Sequence, residues 1–161
     1  MTMDAQSIRD AVQPFVPEWG PYPKRFSLMG DEITTSVTMT FSLIPDGVNL
    51  YNGIFSPTVA NANNGDEYTF SVFLAAGDYT FYHLGRKVTD GGKLDWYVDG
   101  SSVATGRDWY AATAATYTDS FAVTIASSGY HVIKIKVNGK NASSSDYRAT
   151  FAHIWGKQAT D

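Results

Sequence analysis

The chain has 161 residues, of which 12 are basic and 16 acidic, giving a formal charge of −4, and it contains no cysteine. That length suits a single domain. The missing cysteine excludes disulfides, thiolate metal sites and cysteine nucleophiles, while the acidic balance, with no basic run longer than Lys24-Arg25 or Arg86-Lys87, argues against a nucleic-acid partner.

Hydrophobic residues make up 43% of the chain, with 9 Phe, 4 Trp and 10 Tyr, enough to fill a core and still leave rings on the surface. No apolar stretch approaches the roughly 18 residues of a membrane span, and MTMDAQSIRD lacks a basic segment followed by an apolar one. Neither membrane insertion nor secretion is expected, and synthesis in a cytoplasm is.

In residues 1–30 a short helix could start at Ser7, but Pro14, Pro17, Pro21 and Pro23 stop it. The rest of this segment reads as an extended arm carrying Phe15, Val16, Trp19, Tyr22 and Phe26. Two roles are open to those side chains: closing the domain's own core, or anchoring the chain on a partner, with proline lowering the entropy cost of ordering the arm.

From residue 31 to residue 161 the apolar period is two. Val37, Met39 and Phe41 share a face between threonines, as a half-buried strand requires. A Pro45–Gly47 turn and a loose Asn- and Gly-containing stretch follow. Tyr68, Phe70, Val72 and Leu74 then align, and a turn at Ala75–Asp78 leads into a returning strand from Tyr79 to Leu84, which suggests a hairpin. Leu94, Trp96 and Val98 align before an Asp99-Gly100 turn, Phe121, Val123 and Ile125 align after it, and Ser127–Tyr130 turns the chain into a strand ending at Val137. A last strand is expected from Tyr147 to Trp155. Seven or eight strands with no long helical pattern describe an all-β antiparallel sandwich of jelly-roll type.

Few residues suggest chemistry. His83, His131 and His153 sit beside apolar or aromatic neighbours, none spaced as a strand-borne metal pair, so structural or surface roles are expected, with no metal and no cofactor. Asp95 and Asp99 point to one face about 13 Å apart by the strand rise, beyond the roughly 5–9.5 Å of glycosidase carboxylate pairs. G-x-S-x-G, GxGxxG and P-loop signatures are absent. The Asn141-Ala142-Ser143 sequon is read as a chance match. An enzyme is not expected.

Trp109 and Tyr110, with Trp96, are the candidate surface aromatics, open to three roles: core packing, a protein interface, or stacking against a glycan. The loop from Asn138 to Tyr147, with Asn138, Lys140, Asn141 and Ser144, reads first as a connector. Asn138-Gly139 tolerates positive φ, and the Asn and Ser side chains bond nearby backbone.

From about Gly65 to Trp155 the chain resembles a β-sandwich module found near the C-termini of bacteriophage structural proteins. The matching positions are Ala76-Gly77-Asp78-Tyr79-Thr80, Val98-Asp99-Gly100, Gly129-Tyr130-His131, and Gly139-Lys140-Asn141 with Ser143-Ser144-Ser145. The resemblance implies a non-enzymatic protein on the virion surface, a capsid decoration or head-fibre protein held by its N-terminal arm to a phage capsid or tail protein, and a homotrimer by analogy. The alternative is a receptor-binding tail-fibre tip whose partner is a host-surface glycan.

Overall fold

A computed structural model describes residues 25–29, 34–35, 39–42, 54–57 and 63–159. Among them the chain forms eleven strands and no helix: β1 (Arg25–Met29), β2 (Thr34–Thr35), β3 (Met39–Ser42), β4 (Ile54–Pro57), β5 (Glu67–Leu74), β6 (Gly77–Lys87), β7 (Gly92–Val98), β8 (Ser101–Asp108), β9 (Ala115–Ile125), β10 (Gly129–Lys140) and β11 (His153–Gln158). A four-stranded sheet runs in the order β1-β11-β6-β9, a five-stranded sheet in the order β2-β5-β10-β7-β8, and β3 pairs with β4. All of these pairings are antiparallel. The jelly-roll sandwich expected from the alternation is the fold observed.

The alternation explains the core. Each strand puts every second side chain inward, so Tyr68, Phe70 and Leu74 of β5, Leu94, Trp96 and Val98 of β7, and Ile133, Ile135 and Val137 of β10 meet Phe26, Tyr79, Phe81, Val123, Ile125 and Ile154 of the opposite sheet. Trp96 is fully enclosed; truncating such a ring to alanine costs about 3–5 kcal/mol.

Several connections differ from the expectation. β5 and β6 form no hairpin: β5 pairs with β10 and β2, β6 with β11 and β9, so the chain crosses between sheets at Ala75–Ala76. Gly77, at φ +142°, makes the crossing, and a Cβ there would collide with the Gln158 side chain. That side chain's amide donates to the Ala76 carbonyl at 2.9 Å. The segment from Ser127 likewise carries the chain between sheets, and Ser128 Oγ accepts from the Ala76 amide at 2.9 Å, tying the two crossings together.

The Asp99-Gly100 turn is present, with φ of 49° and 80°, the double positive φ of a type I′ hairpin. It leads into β8, a strand that period-two counting passes over because Ser101–Asp108 is largely exposed on both faces. β11 begins at His153 rather than Tyr147, since Ala149, Phe151 and Ala152 are buried in a non-strand segment that closes one end of the sandwich.

Phe26, expected in the arm as a partner anchor, lies on β1 and belongs to the core, with its ring edge-on to Phe81 at 5.0 Å. Glycine at 156 makes room for it, since a Cβ there would collide with the Phe26 ring. Phe15, Val16, Trp19 and Tyr22, and the Pro45–Gly47 turn, lie outside the described residues.

Candidate functional site

Strand register decides which rings reach solvent. On β6 the inward residues are Tyr79, Phe81 and His83, so Thr80 and Tyr82 face out. On β11 Ile154, Gly156 and Gln158 are buried, so His153, Trp155 and Lys157 face out. Pairing places Tyr82 opposite Trp155 and Thr80 opposite Lys157. The Tyr82 and Trp155 rings stack at 5.0 Å with their planes only 8° apart, and His153 stacks on Trp155 at 4.6 Å and 24°. A 2.6 Å hydrogen bond between His153 Nε2 and Ser27 Oγ of β1 ties this row to the neighbouring strand. Burial lowers the His153 pKa below its ordinary value, which favours the neutral ring at neutral pH.

This row lines an open cleft of about 460 Å³ walled by Ser27, Tyr82, His153, Trp155 and Lys157, with Phe26 and Gly156 at its floor. A second hollow of about 240 Å³, lined by Thr80, Tyr82, Lys157, Gln158 and Ala159, adjoins it. The parallel rings are layered against one another, so together with His153 they form a packed aromatic row, an apolar platform of ring edges and partly covered faces along the open cleft, rimmed by hydroxyl and ammonium groups.

The aromatics singled out in the sequence lie elsewhere. Trp96 and Trp109 are both buried, so neither offers a face to a glycan or a partner. Trp109 packs against the His83 ring at 4.1 Å and plugs the end of the sandwich near Tyr117. Tyr110 is half-buried beside it, its amide bonded to Asp108 Oδ1 at 2.9 Å.

The Asn138–Tyr147 loop turns its polar groups on the protein itself. Asn138 Nδ2 donates to Asp95 Oδ2 at 2.6 Å, Gly139 N to Asn64 Oδ1 at 2.7 Å, and Asn141 Nδ2 to Asp108 Oδ2 at 2.7 Å. Ser144, itself buried, donates to the Asp146 carbonyl at 2.9 Å, and Lys140 Nζ to the Ser145 carbonyl at 3.2 Å. Gly139, at φ +87°, has the positive φ anticipated for it. These bonds fasten the loop to the body of the sandwich, and Asn138 and Asn141 bond distant carboxylates where nearby backbone was expected.

The acidic residues are similarly committed. Buried Asp95 accepts from Gly106 N and Asn138 Nδ2, and Asp99 accepts from Val132 N and His131 Nδ1. Among the described residues no three His, Asp or Glu side chains gather to hold a metal ion. Trp155 and Tyr82 escaped the sequence search because period two marks them only as outward; their partnership comes from cross-strand register, between segments more than 70 residues apart.

No family model matches the chain, and no curated protein matches it. Solved structures do. A Paenibacillus xanthan lyase superposes over 86% of this chain with a TM-score of 0.64 at 20% identity, and the chain spans 13% of that enzyme's length. The CBM36-1 domain of a multidomain xylanase from the hindgut metagenome of Trinervitermes trinervoides matches 85% of this chain and 99% of its own, with a TM-score of 0.56 at 17% identity. A carbohydrate-binding module CBM36, solved in complex with calcium and xylotriose, matches 81% of this chain and 97% of its own, with a TM-score of 0.52 at 15% identity. At these identities the shared property is the jelly-roll fold.

Proposed function

We propose that this chain is a carbohydrate-binding module without catalytic activity and that its site is the Tyr82–Trp155 platform. The carrying observation is an open surface cleft of about 460 Å³ lined by the aromatic row of Tyr82, Trp155 and His153. A pyranose ring presents a face of C–H groups that packs against aromatic walls of this kind, while its equatorial hydroxyls point sideways toward polar rims. His153, Ser27, Thr80 and Lys157 are the rim groups here. Structural neighbours solved with xylotriose or cellotriose add support at the level of fold. The described residues set no pair of carboxylates across the cleft as glycoside hydrolysis needs.

The virion setting implied by the sequence resemblance is a finer proposal that rests on those motifs alone. In that setting the module displays its platform from a phage particle, to which the N-terminal arm attaches it, toward a host-surface glycan. Support is stronger for the glycan-binding alternative than for a purely structural decoration protein.

The test is titration of the intact protein with a panel of oligosaccharides, alongside the Trp155→Ala variant. Binding by the intact protein that Trp155→Ala removes, with the thermal transition retained, is the expected result; a blank panel, or binding that Trp155→Ala leaves intact, overturns the assignment.

A further inference from the structure

Lys157 stands where the two hollows meet, lining both the aromatic cleft and the polar one, and Tyr82 is likewise shared. Its side chain is exposed, and it makes no ion pair with a described residue. It lies two residues beyond Trp155 on the same face, about 7 Å along the strand, close to the offset between a stacked sugar ring and a substituent on that sugar or the next one.

The charge of this face runs against that of the chain. The protein carries 16 acidic residues against 12 basic, yet among the described residues neither hollow is lined by a carboxylate. Asp78, outward on β6 like Thr80 and Tyr82, lies at the strand's end, with Oδ1 accepting from Thr124 Oγ1 at 2.7 Å. An ammonium beside an apolar platform, with neither an ion-pair partner nor a carboxylate along the cleft among the described residues, favours a ligand that brings its own negative charge.

We propose that the platform selects anionic saccharides: one sugar packs in the cleft against Tyr82 and Trp155, and the carboxylate of a uronic acid or the sulfate ester of a sulfated sugar meets Lys157, with Thr80 as a neighbouring donor. The inference rests on the platform being the saccharide site, and it adds the ligand's charge.

The experiment titrates the intact chain with matched pairs of oligosaccharides: uronic-acid oligomers against their carboxyl-reduced forms, and sulfated oligomers against their desulfated forms. In low salt one anionic form binds about fivefold more tightly than its neutral twin, as expected for a solvent-exposed ion pair, and the gap closes as salt rises to about 0.5 M. The pair that shows the gap identifies the anion. Lys157→Gln closes the same gap in low salt while its thermal midpoint stays with that of the parent. Equal affinity within both pairs, or a preference that survives Lys157→Gln, overturns the anionic assignment while Trp155→Ala still reports on the platform. Failure of every oligosaccharide to bind overturns the platform, and this inference with it.

Discussion

Two aromatic pairs sit directly cross-strand on the outer faces of the sandwich, one on each sheet, and they behave differently. Tyr82 and Trp155 lie 8° from parallel, whereas Phe73 and Tyr130 meet at 90°. Trp155 is buttressed by His153, which Ser27 holds in turn, so the rings form one packed row. Tyr130 stands at the start of β10, 80% exposed, and forms a corner instead of a floor. The charges differ too. On the five-stranded sheet Lys134 and Lys136 both reach Glu67, at 3.2 and 3.7 Å, and Lys134 also lies 5.2 Å from the centre of the Tyr97 ring, so cations and carboxylate satisfy one another. Exposure of aromatic rings alone therefore does not mark a binding face. The proposed saccharide face differs from the other by its open cleft and by Lys157, which makes no ion pair with a described residue.

The largest expected effect falls on the core that both faces share. His83 is fully buried, its Nε2 bonded to the Thr150 carbonyl at 2.8 Å, and burial lowers its pKa to about 4 from an ordinary 6.5. The unfolded chain therefore takes up this proton first as pH falls. The stability contributed by His83 is intact above about pH 6.5 and is lost progressively toward pH 4, by about 3 kcal/mol. Urea unfolding across that range shows the slope, and His83→Phe removes this share of it. Acid loss of ligand binding that tracked this unfolding would belong to the fold and not to either face.

Next in size is Trp155→Ala, expected to weaken saccharide binding by about 2 kcal/mol or more, the scale of a central aromatic anchor, as measured by calorimetry. Tyr82→Ala removes the ring stacked on Trp155 and costs about 1 kcal/mol of binding. The smallest effect is expected on the other sheet: Tyr130→Ala leaves saccharide affinity unchanged and shifts stability by less than about 0.5 kcal/mol, as exposed surface changes do. Equal losses from Tyr130→Ala and Trp155→Ala would erase the contrast between the faces.

The alternation of Tyr68, Phe70 and Leu74, and of Leu94, Trp96 and Val98, determined by itself that these segments are strands with one buried side, because the period of a strand is two and water is excluded from one face only. Asp99-Gly100 determined its own turn, since its double positive φ suits those two residues. The positive φ of Gly139 was legible for a similar reason, but the bonds from Asn138 to Asp95 and from Asn141 to Asp108, which span 43 and 33 residues, were not. Sheet membership was not legible. Ala75–Asp78 supports a hairpin and a crossing equally well, and the choice came from β10 and β11, strands whose partners are fixed by packing far along the chain. Nor could a local pattern separate the tryptophans. Trp109 sits in a polar segment yet plugs the core, and Trp155 sits in an apolar one yet faces out. Burial depends on what lies across the sandwich, and the aromatic row depends on the register between β6 and β11, so only the tertiary structure decided which rings gather at the surface.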